Sequence, residues 1–282
     1  MTTLTTTRLE QAHIIPLSNL LFRSYHVYSH LDWQDVHDWI GTEDAVFRLA
    51  WQGNGLVGVL AVSAPIETHS WVRLVALNDD TAARSTVEAL WYAALPDLEA
   101  RGIRHVAALI SLPWIEHLLA MVGFRYAEQI ITLRRTTRHV PWLRSSPFTI
   151  RYMEPQDIPH IEDIDHEAFN PMWQMTRTEL WQARRMAALA TVAEIDGAIA
   201  GYQISTRYRD GAHLARLAVS PQNQASGAGS TLLNDLLHRF HKRGIYSMTV
   251  NTQASNRRSQ RLYAGFGFQR NGYDLPVWSI SI

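Results

Sequence analysis

Two residue types are nearly or wholly missing from this sequence of 282 residues: it has no cysteine, and Lys242 is its single lysine. Without cysteine, the chain forms no disulfide bond, offers no thiol nucleophile and builds no cysteine-ligated metal site. Its 13 histidines are scattered and lack the spacing of a metal-binding motif. We therefore expect no metal.

Long apolar runs and an excess of one charge are missing as well. No run approaches the ~18 apolar residues of a membrane span, and the N-terminal residues lack the apolar core of a signal peptide. The 26 basic residues balance the 26 acidic ones, so the basic surface of a nucleic-acid-binding protein is not expected. The simplest expectation is a cytoplasmic protein with neither a membrane nor a nucleic acid as partner.

The rest of the composition and the order of the predicted elements indicate two domains. Hydrophobic residues make up 46% of the chain, enough at this length for two cores. Predicted strands and helices recur in the same order in both halves, and Arg101-Gly102-Ile103 is echoed by Arg243-Gly244-Ile245. Residues 139–147, with two prolines and two serines, predict a linker. We predict a tandem duplication of class α/β (α+β), with domains at 1–138 and 148–282.

The most informative stretch is Ser220–Leu233, which reads S-P-Q-N-Q-A-S-G-A-G-S-T-L-L. An apolar run before it predicts a buried strand, and leucines at three- and four-residue spacing after it predict a helix. A P-loop would need a lysine, and Leu232 replaces the third glycine of the Rossmann fingerprint, so neither motif fits. Gly227 and Gly229 still let backbone approach a ligand, and a helix start attracts anions. The stretch predicts an anion-binding loop.

Two segments, in this order, resemble the signatures of one family. Gln224–Gly229, Q-A-S-G-A-G, is similar to the Q/R-x-x-G-x-G/A pyrophosphate loop of the GNAT superfamily of acetyl-CoA-dependent acyltransferases. Asn256–Phe268 resembles the second signature of that family, N-x-x-[AS]-x-x-[LF]-Y-x-x-x-G-F. The resemblance implies two tandem GNAT-like domains, each a mixed, mostly antiparallel sheet flanked by helices, with acetyl-CoA bound as co-substrate by the second.

The resemblance also implies which residues hold the acyl donor. In the family, the pantetheine arm pairs with the strand before the loop, which here is Leu217, Ala218 and Val219. The diphosphate binds main-chain N–H groups, which here belong to Gln224, Ala225, Ser226, Gly227, Ala228, Gly229 and Ser230. Asn256 and Arg258 would lie beside the cofactor. Helix capping by Asn256 and plain exposure of Arg258 are the alternatives.

Three residues are candidates for proton transfer. Tyr263 matches the general acid of the family, which protonates the departing thiolate; a half-buried helix tyrosine is the alternative. His213, on the strand before the loop, is the first candidate for the base, and alternation predicts it on the same side as Val219. Glu194 is the second candidate. Ordered water, as in many members of the family, is the alternative to both.

The acceptor side has a weaker signal. Ile161–Phe169, with Pro171 and Trp173 after it, resembles the first helix and loop of the ribosomal-protein-type N-terminal acetyltransferases. The resemblance implies that Phe169 and Trp173 border the acceptor pocket. Asp163 and Glu167 lie one helical turn apart and would attract a cationic amine. A solvated acidic helix face is the alternative for these two carboxylates.

The first half lacks the residues that would bind the cofactor. Where the second half has its glycine loop, the first has Asp79–Arg84, which contains no glycine and starts with two carboxylates. Leu119 stands where the second half has its tyrosine. Like charge opposes phosphate binding, so we predict a degenerate copy without cofactor. The sequence leaves open whether this copy is a wall of the substrate cleft or a homodimer contact.

These features predict an N-acetyltransferase that transfers acetyl from acetyl-CoA to a primary amine of a small molecule or peptide. A non-catalytic module that binds acyl-CoA and acts through a partner is the alternative, since an intact loop fits both functions. Transfer to oxygen, or transfer of a longer acyl chain, is a third hypothesis. Tyr263 favours catalysis, because a binding module needs no acid.

Overall fold

The computed structural model describes residues 3–42, 45–143 and 145–282. Within them the strands are β1 (Leu4–Arg8), β2 (His26–Ser29), β3 (Val46–Gln52), β4 (Gly55–Val62), β5 (His69–Leu77), β6 (His105–Leu109), β7 (Arg125–Arg135), β8 (Thr149–Tyr152), β9 (Leu189–Ile195), β10 (Ala198–Tyr208), β11 (Gly211–Val219), β12 (Met248–Gln253), β13 (Gln269–Arg270) and β14 (Leu275–Ser281). The α-helices are α1 (Ile14–Arg23), α2 (Val36–Trp39), α3 (Ala83–Ala100), α4 (Pro113–Met121), α5 (Ile158–Ala168), α6 (Arg177–Met186), α7 (Ala228–His241) and α8 (Arg257–Gly265).

The chain divides into two compact units. Unit 1 is Met1–Glu128 with Leu275–Ile282, and unit 2 is Gln129–Asp274. In unit 1 the strands pair in the order β1-β3-β4-β5-β6-β14, with β2 added to β5; in unit 2 the order is β7-β12-β11-β10-β9-β8, with β13 added to β7. The pairs β5–β6 and β11–β12 are parallel, whereas the hairpin neighbours are antiparallel. The predicted class, α/β with mixed and mostly antiparallel sheets, is confirmed.

The units differ from the predicted boundaries because the end of the chain belongs to unit 1. β14 pairs with β6 from Val277↔Leu109 to Ser281↔His105. Its apolar side chains, among them Trp278 and Ile280, pack into the core of unit 1. β7, which the prediction put in the first domain, pairs with β12 of unit 2. Strand partners are chosen by edge and core complementarity, and sequence order does not reveal that choice.

The segment predicted as a linker lies partly on unit 2. Val140 and Leu143 pack against the core that α7 and α8 cover, and the Asn234 side chain donates to the Pro141 carbonyl (3.0 Å). Arg144 lies outside the described residues. Apolar contacts of this kind hold residues 140–143 in place, so only part of the predicted linker is free of the unit that it precedes.

Both faces of the unit 2 sheet are covered by helices. On one face α7 buries the stripe that its leucine spacing predicts, and this stripe consists of Leu232, Leu233, Leu236, Leu237 and Phe240. On the other face lies α5, whose buried residues are Ile158, Ile161, Ile164 and Asp165. β11 runs between these two layers, which places both helices beside the loop that follows it.

Two kinds of feature are absent from the described residues. In residues 3–42, 45–143 and 145–282, no helix combines the length and apolar character that a membrane span requires. The same ranges contain no group of three or more His, Asp or Glu side chains that could hold a metal ion.

Candidate active site

The stretch after β11 folds into a loop that leads directly into α7. A 3₁₀ turn at Pro221–Asn223 follows the strand, and the backbone then takes left-handed conformations at Ala225 (φ 64°) and Gly227 (φ 101°). Gly227 is the N-cap of α7, and its terminus has no side-chain cap. The first N–H groups of a helix have no acceptor within the helix. Those of α7, from Ala228 onward, can therefore bind an anion.

β11 and β12 pair for only part of their length and then separate. Their parallel register runs from Ala212↔Met248 to Leu214↔Val250, although β11 continues to Val219. A β-bulge interrupts its pairing with β10 at this point, because Ser205 faces Leu214 and the next pair is Ile204↔Arg216. In the described residues, no strand pairs with the β12-facing edge of β11 beyond the bulge. The separation leaves an open strand edge beside the loop.

The hydrogen bonds of β11 show which main-chain groups face this edge. The N–H of Ser220 donates to the Ala200 carbonyl (2.9 Å), which directs Ser220 toward β10. Main-chain groups alternate between the two sides of a strand, so those of Leu217 and Val219 face away from β10, into the gap. The main chain of Ala218 points toward β10 instead, opposite Tyr202.

Gln224 ties the loop both to the strand and to α8. Its Nε2 donates to the Val219 carbonyl (3.2 Å), and its Oε1 accepts from the guanidinium of Arg258. Its main-chain N–H donates to the Pro221 carbonyl (3.3 Å). The predicted anion contact of this N–H therefore competes with the turn, whereas the N–H groups after it do not belong to that turn.

Tyr263 lies on α8 within the core under β11 and β12. The helix begins at Asn256, whose Oδ1 accepts from the N–H of Ser259 (3.0 Å), so the capping interpretation of Asn256 holds. Only 4% of the surface of Tyr263 is exposed, and its ring lies 5.7 Å from that of Phe268. Burial raises the pKa of the Tyr263 phenol above its ordinary value. The hydroxyl therefore keeps its proton at neutral and mildly alkaline pH.

The sequence model of the Acetyltransferase (GNAT) family matches residues 158–268. This range includes α5, the open edge of β11, the loop, α7 and the tyrosine on α8. The chain carries a GNAT acetyltransferase domain. The predicted resemblance is thus confirmed for the second half of the chain.

Curated relatives match the same half. The putative ribosomal protein bS18-alanine N-acetyltransferase of Bacillus subtilis (strain 168) is 26% identical over 123 residues, which are 44% of this chain and 82% of the relative. The ribosomal protein bS18-alanine N-acetyltransferase of Escherichia coli (strain K12) is 29% identical over 120 residues, 43% of this chain and 80% of the relative. The GNAT domain is therefore similar to ribosomal-protein-type N-terminal acetyltransferases, as its first helix and loop indicate.

Solved structures with the same fold span both units. A tandem GNAT protein from the clavulanic acid biosynthesis pathway superposes with a TM-score of 0.63 at 15% identity, over 99% of this chain and 98% of the other. A probable N-acyltransferase from Enterococcus faecalis V583 gives a TM-score of 0.76 at 11% identity, over 100% of this chain and 73% of the other. At such low identity these likenesses establish the tandem fold alone.

A buried ion pair joins β11 of the GNAT domain to α5, and the predictions from sequence did not include it. Arg216 donates from Nε and Nη2 to the Asp165 carboxylate, both at 2.8 Å. Asp165 is fully buried and also accepts from the Tyr202 hydroxyl and from the N–H of Met175 (2.9 Å). Burial disfavours the charge of Arg216, but Asp165 more than offsets it, so the pKa of Arg216 is raised. Burial and the Asp165 charge also raise the pKa of Tyr202.

The same arginine contacts the loop predicted to border the acceptor. Its Nη2 donates to the Trp173 carbonyl (2.6 Å), and its guanidinium carbon lies 3.7 Å from the centre of the Phe169 ring. Asp163 and Glu167, by contrast, are exposed on the outer face of α5. The structure thus gathers Phe169 and Trp173 around Arg216 and leaves the two predicted carboxylates in solvent, which favours their alternative interpretation as a solvated helix face.

His213 lies on a different side of β11 from the one that simple alternation predicts. The bulge inserts one residue after Leu214, so His213 shares a face with Arg216 and Ala218, whereas Val219 points to the α7 side. Its Nδ1 lies 2.9 Å from the hydroxyl oxygen of Thr249 on β12. The prediction of a shared side with Val219 is wrong, and the corrected position puts His213 on the face that carries α5 and the Phe169 loop.

Glu194 is engaged away from the open edge. Its carboxylate accepts from Arg151 (Nε 2.8 Å, Nη2 2.7 Å), and Arg151 also binds Asp157. β10 lies between the strand of Glu194 and β11. The carboxylate is thus part of an ion-pair network at β8 and β9, which argues against its role as the base.

Proposed function

We propose that the chain is an acetyl-CoA-dependent N-acetyltransferase that acts on a primary amine of a peptide or small molecule, by direct attack of the amine on the thioester. The observation that carries this proposal is the open edge of β11 beside an uncapped helix start. An extended amide-containing arm can hydrogen-bond to that edge, and a diphosphate can bind at the helix start. These two features fit the two polar parts of CoA.

The described residues supply both kinds of contact. The main-chain groups of Leu217 and Val219 would pair with the pantetheine amides, and the N–H groups from Ala225 to Ser230 would bind the diphosphate. A main-chain N–H at the end of the paired part of β11 would polarise the thioester carbonyl, since a preorganised donor stabilises developing negative charge. Acetyl-CoA itself supplies the activated acyl group.

Proton transfer needs an acid for the departing thiolate and an acceptor for the proton of the amine. Tyr263 is the proposed acid, because its raised pKa keeps the hydroxyl protonated. His213 is the proposed base, since it lies on the face of β11 that carries the acceptor loop; ordered water is the alternative. The nitrogen–carbon bond forms, the carbon–sulfur bond breaks, and one proton passes to each of sulfur and base.

The acceptor is best sought among α-amino groups. The Bacillus subtilis and Escherichia coli relatives are named for acetylation of an alanine of ribosomal protein bS18. Peptides with an N-terminal alanine are therefore the first acceptors to test, followed by small primary amines. Formation of acetylated product from either class, with release of CoA, is the result that the proposal requires. Binding of acetyl-CoA without turnover of any amine would favour the acyl-CoA-sensing alternative.

Replacing Gly227 with aspartate is expected to weaken acetyl-CoA binding by at least about 100-fold, because like charges in contact cost several kcal/mol. Calorimetric titration with acetyl-CoA measures the effect. Gly244→Asp is the matched control, since Gly244 also has a positive φ (75°) and no atom within 4 Å of an added Cβ, but lies beyond the other end of α7. Equal affinity in the two variants would contradict the assignment of the loop.

Replacing His213 with glutamine tests the base. Glutamine keeps a hydrogen-bonding partner for Thr249 but cannot take up the proton, so kcat/KM is expected to fall and to lose its dependence on a group that titrates near pH 6.5. The measurement is the pH profile of kcat/KM with a working amine. An unchanged profile would assign proton removal to ordered water.

A further inference from the structure

Unit 1 repeats the local geometry that leaves a strand edge open in the GNAT domain. β5 and β6 are parallel and pair from His69↔His105 to Trp71↔Ala107, although β5 continues to Leu77. A β-bulge again occurs immediately afterwards, since Val62 faces Val72 and the next pair is Ala61↔Leu74. The bulge and the early end of the parallel pairing are therefore shared by β5 and β11.

In unit 1 another strand of the same chain occupies this edge. β2 pairs antiparallel with β5 from His26↔Leu77 to Ser29↔Leu74. The N–H of Asn78 donates to the Val57 carbonyl on β4 (2.9 Å), so the main-chain groups of Leu77 and Val75 face β2. Leu77 is the last residue of β5 and Val75 stands two before it, as Val219 and Leu217 do in β11.

Both ends of β2 are held in place. The carboxylate of Asp79 accepts from the N–H of Tyr25 (3.2 and 3.3 Å) and lies 2.9 Å from Nδ1 of His26. At the other end, the N–H of His30 donates to the Arg73 carbonyl (2.9 Å). Between them Tyr28 is fully buried in the core of unit 1. β2 is therefore an integral strand of unit 1, anchored by the carboxylate that stands where unit 2 has its phosphate loop.

The GNAT domain provides the comparison within one chain. After α1, unit 1 places β2 on the open edge; after α5, unit 2 forms a 3₁₀ turn at Pro171–Trp173 and then α6. Among the described residues of unit 2, none forms a strand against Leu217 or Val219. Two units with the same bulge and the same separation of parallel strands thus differ in the element that comes after their first long helix.

We infer that β2 is a built-in substitute for the pantetheine arm: His26–Ser29 occupies in unit 1 the edge that takes acyl-CoA in unit 2. Unit 1 is thereby closed to acyl-CoA, and the chain binds one acyl-CoA, at unit 2. The presence of the strand, rather than the charge of Asp79 and Asp80 alone, closes the site. This inference rests on the proposed function of unit 2 for the ligand, but the occupation of the β5 edge can be tested without it.

Amide hydrogen exchange of the wild-type protein is the first test. Without ligand, the amides of Val75 and Leu77 are expected to exchange at least about 100-fold more slowly than those of Leu217 and Val219. Acetyl-CoA should slow exchange in the second pair alone. Equally fast exchange in both pairs without ligand would overturn the inference. No change at Leu217 and Val219 on adding acetyl-CoA would contradict the proposed function and leave the inference about β2 intact.

Calorimetry separates the strand from the charges. In a Gly227→Asp background, Asp79→Asn with Asp80→Asn removes both carboxylate charges of unit 1, while the asparagine oxygen at position 79 can still accept the hydrogen bond from Tyr25. We expect no binding of acetyl-CoA to this triple variant, and one site per chain in the wild type, with folding checked by circular dichroism. Binding to the triple variant, or two sites in the wild type, would show that β2 does not close unit 1.

Discussion

Replacing Tyr263 with phenylalanine is expected to lower kcat by about 100- to 1,000-fold, within the range that general acid catalysis contributes, while the Kd of acetyl-CoA stays nearly unchanged. Phenylalanine fills the same buried volume beside Phe268 and lacks only the proton that the departing thiolate would accept. Release of CoA with a working amine measures kcat, and calorimetry measures Kd. Because burial raises the pKa of Tyr263, the wild-type enzyme should show no loss of activity from its ionisation below about pH 10.

Tyr28→Phe is the matched control for this variant. Tyr28 is also fully buried, and burial also raises its pKa, but it lies in unit 1. Its replacement removes a buried hydroxyl without touching the GNAT domain, so kcat should remain at the wild-type level. Full activity of Tyr263→Phe would remove this tyrosine as the acid, and equal losses in both variants would indicate a general effect of losing a buried hydroxyl.

The loop, its helix and the Tyr263 helix could be predicted from sequence because local residues determine them. Gly227 takes a φ of 101° that other residues adopt at a cost, and Asn256 caps the helix through a neighbour three residues away. Short-range requirements of this kind leave a pattern in consecutive residues. The signature Asn256–Phe268 could therefore be recognised, and its helix begins where that pattern places it.

Features that depend on distant partners could not be predicted in the same way. β14 lies beside the residues of unit 2 in sequence, yet it pairs with β6, since its apolar side chains complete the core of unit 1. The bulge after Leu214 moves His213 to the other face of β11, and nothing in the alternation of side chains marks it. β2 was hidden because a four-residue strand is too short to show a period.

Asp165 is an intermediate case, since the sequence contained a signal that could have found it. Among the acidic residues of α5, the predicted acceptor contacts were Asp163 and Glu167, which are one turn apart and exposed. Asp165 instead follows Ile158 by seven residues and Ile161 by four, and thus falls on the apolar stripe. A carboxylate on a buried stripe needs a partner, and that requirement points to an arginine on a neighbouring strand.

Replacing Asp165 with leucine is accordingly expected to lower the free energy of unfolding of unit 2 by about 3–5 kcal/mol, the cost of leaving a buried charge without its partner. The charge in question is Arg216, whose side chain is only 14% exposed. Urea unfolding measures the loss, and because two units can unfold separately, hydrogen exchange in β11 assigns it to unit 2. Asp163→Leu, on the exposed face of the same helix, should change stability by no more than about 0.5 kcal/mol.

A double variant distinguishes the lost ion pair from a change in packing. Asp165→Leu with Arg216→Met removes both charges, and apolar replacement of a buried pair is often neutral or stabilising, so most of the lost stability should return. The Trp173 carbonyl would still lack its donor, and Phe169 would lose the guanidinium above its ring. Recovered stability without recovered turnover would therefore identify Arg216 as the residue that positions the acceptor loop. No recovery of stability would show that the loss came from the leucine itself.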